Sequence, residues 1–160
     1  MNKLHVSYAD YHGLIDQVIA RVLEGPWRPD FIMGVSRGGL MLADGLSRVL
    51  KRPMAVVAAQ SYRDGGDGAG TEQGSLKISA SVASVEPVQG RVLLADDLLD
   101  SGATMRALVA HLQNASTDID ELKTAVIWVK PNAVFEPDYA AVRMQRDEWI
   151  VQPFEMRDFS

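Results

Sequence analysis

The sequence predicts an α/β fold, a mostly parallel central sheet flanked by helices, and three observations carry that expectation. Short apolar runs bounded by glycine, proline or charge read as strands buried on both faces, and they alternate with segments whose apolar residues recur at helical spacing. One segment instead alternates apolar and polar residues, the mark of a half-exposed antiparallel strand. At 160 residues and 47% hydrophobic composition there is interior enough for one such sheet, and no internal repeat or shift in composition marks a second domain. Residues 1–160 are therefore read as a single domain.

Taken in order, Tyr11, Leu14, Ile15, Val18, Ile19 and Val22 make one face of a first helix, closed by Gly25 and Pro26. Phe31 to Val35 forms a strand. Leu42, Leu46, Val49 and Leu50 give the inner face of a second helix that stops before Pro53. Met54 to Ala59 is a buried strand, and Leu76, Ile78, Ala80 and Val82 alternate with Lys77, Ser79 and Ser81 in the antiparallel one. Between these two lies Asp64 to Gly74, DGGDGAGTEQG, with five glycines and almost no apolar side chain. Such a segment cannot hold a packed conformation and reads as a flexible hairpin loop. Val92 to Ala95 is the next strand, Met105, Leu108, Val109 and Leu112 the face of a third helix, and Thr124 to Val129 the last central strand.

Composition excludes several classes. No cysteine means neither a disulfide framework nor a thiolate nucleophile, and the three histidines form no metal-ligand pattern. A net charge of -5 argues against a nucleic-acid surface. Apolar runs are too short to insert into a membrane, and the start MNKLHVSYAD lacks the apolar stretch of a signal peptide, so a cytoplasmic protein is expected.

The densest chemistry lies in Arg91 to Thr104, RVLLADDLLDSGAT. A strand ends in Asp96 and Asp97, a third carboxylate follows at Asp100, and Ser101, Gly102, Ala103 and Thr104 turn into the third helix. Free backbone N–H groups at such a turn, with the helix dipole and the hydroxyls of Ser101 and Thr104, suit a phosphate monoester. Ionised Asp96 and Asp97 are acceptors only, fit for vicinal sugar hydroxyls or for Mg²⁺ held through water. The plainer alternative makes Asp100 or Ser101 a helix cap, but capping does not require two further carboxylates before it. A nucleoside triphosphatase is excluded by the lack of a Gly-x-x-x-x-Gly-Lys-Ser/Thr loop.

A second turn, Gly34-Val35-Ser36-Arg37-Gly38-Gly39, follows the first predicted strand. Gly-x-Ser-x-Gly between strand and helix is also the nucleophile elbow of serine hydrolases. That chemistry needs a late histidine, and the only one after Ser36 is His111, inside the third helix.

The thirteen residues VLLADDLLDSGAT resemble the phosphoribosyl pyrophosphate (PRPP) signature of type I phosphoribosyltransferases. The resemblance implies that family's fold, with a flexible hairpin loop and a small hood. It implies that Asp96 and Asp97 bind the ribose hydroxyls and Mg²⁺, that Ser101, Gly102, Ala103 and Thr104 bind the 5'-phosphate, and that Asp100 lies near N7 of a purine as the catalytic carboxylate. Ser36, Arg37 and Gly38 are similar to the pyrophosphate loop, which in the family often carries a non-proline cis peptide, here placed between Ser36 and Arg37. Ser61, Tyr62 and Arg63 match the start of the loop that closes over PRPP.

Lys130, in WVKP, and Trp149 and Ile150, in DEWIVQPFEM, resemble the base-binding region of bacterial xanthine-guanine enzymes. Lys130 would donate to a 6-oxo group, Trp149 would stack on the purine, and the Ile150 backbone would reach its 2-substituent. The partners so implied are PRPP and a purine base, guanine, xanthine or hypoxanthine, in a homo-oligomer of two or four chains. A PRPP-sensing regulator on the same fold is the non-enzymatic alternative.

Overall fold

The computed structural model describes residues 2–61 and 76–159. Their order is β1 (Lys3–His5), α1 (Tyr8–Glu24), β2 (Phe31–Ser36), α2 (Leu40–Leu50), β3 (Met54–Ser61), β4 (Leu76–Ala83), β5 (Gly90–Leu99), α3 (Ala103–Ala115), β6 (Ile119–Val129), β7 (Tyr139–Arg143), β8 (Trp149–Val151) and a 3-10 helix (Glu155–Phe159). Six strands form one sheet in the order β4-β3-β2-β5-β6-β7, and β1 pairs with β8 in a separate two-stranded sheet. Every neighbouring pair in the large sheet is parallel except β3 with β4. The expected architecture is present.

Strand periodicity divides the core. In β2, Ile32 faces one side while Phe31, Met33 and Val35 face the other; in β5, Leu93 and Ala95 oppose Val92 and Leu94. The first set packs under α1 and α2 through Ile15, Val18, Ile19, Leu42 and Leu46, the second under α3 through Met105, Leu108 and Leu112. A strand covered on both faces has no polar alternation, which is why these runs were legible as buried strands.

The helix α1 opens with a reciprocal cap: the Asp10 amide donates to Ser7 Oγ at 3.1 Å, and the Ser7 amide to Asp10 Oδ2 at 3.3 Å.

Three features depart from the sequence reading, and a fourth, the small hood, agrees with it. Val49 is half exposed, because the buried stripe of α2 runs through Leu42, Ala43 and Leu46 to the partly buried Leu50, and Val49 lies off it. The strand β5 does not stop at Ala95 but continues through both aspartates to Leu99, because β6 stays paired with it as far as Val129. Beyond β6 the sheet gains a further parallel strand, β7, and the β1–β8 pair supplies the small hood.

Candidate functional site

The sheet order creates the site. From β2 the chain passes through α2 to β3 on one side, and from β5 through α3 to β6 on the other, so the carboxyl ends of β2 and β5 lie side by side where the winding direction reverses. A crevice at such a switch point is where α/β sheets bind ligands. Both helices that open into it begin at glycine, Gly39 for α2 and Gly102 for α3, and neither has a side-chain cap, whereas α1 has a complete one. Two uncapped helix N-termini at one crevice present N–H groups and positive dipole ends to an anion.

The turn before α3 is tightly built. Gly102 adopts φ 81°, and a Cβ there would meet Phe135 Cβ at 2.8 Å, so glycine is required on both counts. Val134 N donates to Ser101 O at 2.9 Å, and Ser101 Oγ accepts from the Ala103 amide at 3.2 Å. Asp100 does not cap the helix; its side chain is 65% exposed. Asp96, Asp100, Ser101, Gly102 and Thr104 line a cavity of about 110 Å³.

Across the crevice, the Ser36–Arg37 peptide bond is cis, as the resemblance implied. Gly39 lies so close to β5 that a Cβ would stand 2.3 Å from Ala95 O. Gly38 faces Asp97, and a Cβ on it would stand 2.5 Å from the carboxylate carbon. Asp97 Oδ2 accepts from Gln152 Nε2 at 2.9 Å, while the Asp97 amide donates to Asp96 Oδ1 at 2.9 Å. Burial, and then the charge of Asp97 beside it, raises the Asp96 carboxyl well above the usual range. Arg37, Gly38, Asp97, Glu155 and Asp158 line a second cavity of about 530 Å³. Among the described residues no cluster of three or more histidine, cysteine or acidic groups is arranged to hold a metal by itself.

Lys130 stands where β6 ends, its amide donating to Leu99 O at 2.9 Å. Its side chain is 11% exposed, and Nζ donates to Asp147 Oδ1 at 2.9 Å and stands 3.5 Å from Asp100 Oδ1. The bond to Asp147, and then the nearby Asp100 charge, hold the ammonium above its ordinary pKa against the opposing effect of burial. Trp149 is 47% exposed, with its amide donating to Asn2 O at 3.0 Å, and Ile150 is buried opposite Leu4.

Asp96, Asp97, Asp100, the Ser101–Thr104 turn, Ser36, Arg37, Gly38 and Lys130 thus gather at the carboxyl edge of the sheet. Ser61 ends β3 opposite Leu76, and Tyr62, Arg63 and the glycine-rich loop lie outside the described residues. Ser36 and His111 do not meet: His111 lines a separate cavity with Met33, Val82, Pro87 and Ile119, at the amino end of β6. That separation removes the hydrolase reading. Two residues were not assigned from sequence, Asp147 and Gln152. Both act through partners distant in the chain, and no local spacing signals them.

The phosphoribosyl transferase domain family matches residues 7–158. A xanthine-guanine phosphoribosyltransferase of Idiomarina loihiensis is 34% identical over 153 residues, 94% of this chain and 86% of that one. Among solved structures, a purine phosphoribosyltransferase from Pyrococcus horikoshii superposes with a TM-score of 0.77 at 27% identity, covering 96% of this chain and 95% of its own. The Helicobacter pylori xanthine-guanine-hypoxanthine phosphoribosyltransferase shares the fold with a TM-score of 0.79 at 22% identity, covering 99% of this chain and 98% of its own. The chain belongs to the phosphoribosyl transferase family.

Proposed function

We propose that the protein transfers the 5-phosphoribosyl group of PRPP to a 6-oxopurine, releasing a nucleoside 5'-monophosphate and pyrophosphate in purine salvage. The observation that carries the reading is Lys130 Nζ held 3.5 Å from Asp100, directly beside the phosphate turn. A donor-only ammonium next to a carboxylate matches the carbonyl and the imidazole edge of a 6-oxopurine; the amino group of adenine would find no acceptor on the lysine.

In this reading the Ser101–Thr104 turn holds the 5'-phosphate and Asp96 and Asp97 the ribose hydroxyls. A bond forms from a purine imidazole nitrogen to the anomeric carbon as the bond to the diphosphate oxygen breaks. Asp100 takes or holds the imidazole proton, and Arg37 with the Gly38 loop stabilises charge on the departing diphosphate. Asp96 and Asp97 are the residues that would hold Mg²⁺ through water, the kind of carboxylate donors this ion takes. Bound there, Mg²⁺ would neutralise charge on the diphosphate. Trp149 offers the stacking face. The family resemblance adds an assembly of two or four chains, and the short apolar runs of the sequence a cytoplasmic setting; no described helix is long and apolar enough to cross a membrane.

Product separation after incubation with PRPP, Mg²⁺ and each of guanine, xanthine, hypoxanthine, adenine and uracil tests the proposal. Turnover of the oxopurines with little of the other two is expected. Adenine as the best substrate, or PRPP binding with no turnover of any base, would overturn it, the latter in favour of a PRPP-sensing regulator.

A further inference from the structure

Lys130 is shared between two carboxylates that come from different parts of the chain, and the sharing is unequal. Asp147 Oδ1 is at 2.9 Å and Asp100 Oδ1 at 3.5 Å. The lysine side chain is only 11% exposed, so its ammonium cannot rely on water and depends on these partners. Asp147 is 52% exposed and sits between β7 and β8, where its side chain pairs, among the described residues, with Lys130 alone.

We infer that Asp147 is a positioning residue for base recognition: it draws the Lys130 ammonium off Asp100, leaving Asp100 to meet the purine imidazole and a lysine N–H to meet the 6-oxo group. This rests on the proposed roles of Lys130 and Asp100. An ammonium has three N–H donors. One is fixed by Asp147, one points to Asp100 at a distance too long for a strong charged bond, and the third is left for a ligand. Remove the Asp147 charge, and Asp100 becomes the sole counter-ion of a poorly solvated lysine. The two then close on each other. That contact pulls the ammonium away from the position in which its free N–H meets the carbonyl and engages the acceptor meant for the imidazole proton, so one substitution outside direct reach of the reacting atoms disturbs both.

The test is a double-mutant cycle read by guanine kinetics and by equilibrium binding of GMP. Asp147→Asn should lower kcat/KM for guanine by roughly tenfold to a hundredfold, the range expected from misplacing a buried charged partner, with the KM for PRPP unchanged. Asp147→Glu should recover part of the loss. In a Lys130→Ala background, Asp147→Asn should change guanine kinetics and GMP affinity by less than about twofold, because its route to the base is gone. The cycle separates this from an effect on Trp149, two residues away, which would persist without the lysine. Wild-type guanine kinetics in Asp147→Asn, or the same fold loss in both backgrounds, would overturn the inference. If Lys130→Ala itself leaves guanine turnover and GMP binding intact, the 6-oxo reading of Lys130 fails, and this inference with it.

Discussion

Gly38→Ala asks whether close contact between the two sides of the crevice sets the ribose carboxylate. An alanine Cβ would lie 2.5 Å from Asp97 Cγ and Oδ1 and 2.7 Å from Oδ2, far inside ordinary contact distance. The backbone has little freedom to retreat, since Gly39 next to it is packed against Ala95 O and Asp96 Cα. The carboxylate must therefore turn, and in turning it gives up the 2.9 Å bond from Gln152 Nε2. A hydrogen bond to a charged group contributes about 1.5 to 3 kcal/mol, which at about 1.4 kcal/mol per decade is roughly a tenfold to hundredfold change in affinity.

The expected result is a rise of that size in the PRPP dissociation constant, measured calorimetrically with Mg²⁺, and a matching rise in KM. The thermal midpoint should fall as well, by roughly 3 to 12 °C, because the same bond is lost from the free protein and Gln152 is buried. Unchanged PRPP affinity, with the Asp97–Gln152 bond intact in a crystal structure of the variant, would refute the reasoning.

Two further outcomes follow from the geometry. Trp149→Ala should raise the KM of every purine roughly twofold to tenfold, the worth of an aromatic stacking face, and leave the KM for PRPP unchanged; equal losses for both substrates would mean the indole is structural. Asp30 accepts from the Arg91 amide at 2.9 Å and from its Nε at 3.3 Å, which holds its carboxyl below the usual range. The unfolded state therefore binds the extra proton, so the contribution of Asp30 is complete above its unfolded pKa of about 3.9 and fades as pH falls through the depressed folded value. Melting curves of the native chain and Asp30→Asn should differ at pH 6 and converge toward pH 3, whereas a constant offset over that range would contradict the assignment.

What the sequence made legible was whatever repeats locally. Phe31 to Val35 and Val92 to Ala95 announced strands covered on both faces because their burial leaves no polar alternation, and the apolar stripes of α1 and α3 recur every three to four residues. The phosphate turn was legible because its residue types serve one purpose at one spot. Three-residue strands were not: Lys3–His5 and Trp149–Val151 are too short to display a period, and they exist only as each other's partners. Nor does any pattern announce a pair such as Lys130 with Asp147 or Asp97 with Gln152, which fold over 17 and 55 residues of chain. In both pairs only Lys130 and Asp97 were given roles, because nothing local in DEWIVQPFEM says which distant side chain Asp147 or Gln152 will meet.

The hood joins the two halves of the proposed site rather than merely covering them. Strand β8 opens with the exposed Trp149 and then buries Ile150 and Val151. Gln152 comes next, 1% exposed, with its side chain on Asp97 and its amide donating to Glu155 Oε2 at 3.0 Å. Phe154 then meets Tyr11 edge-on, ring centres 5.5 Å apart, fixing the tail to α1. The arrangement is costly: Gln152 Oε1 and the Tyr11 hydroxyl are both buried without a hydrogen-bond partner among the described residues, and the charges of Asp97, Asp96 and Glu155 add to burial in keeping that hydroxyl protonated. A segment shaped for stability alone would place an apolar side chain at 152 and leave nothing unsatisfied. What an apolar residue cannot do is donate to Asp97. The unsatisfied oxygen is thus the cost of putting an amide nitrogen on the carboxylate proposed to hold the ribose, three residues after the proposed base shelf.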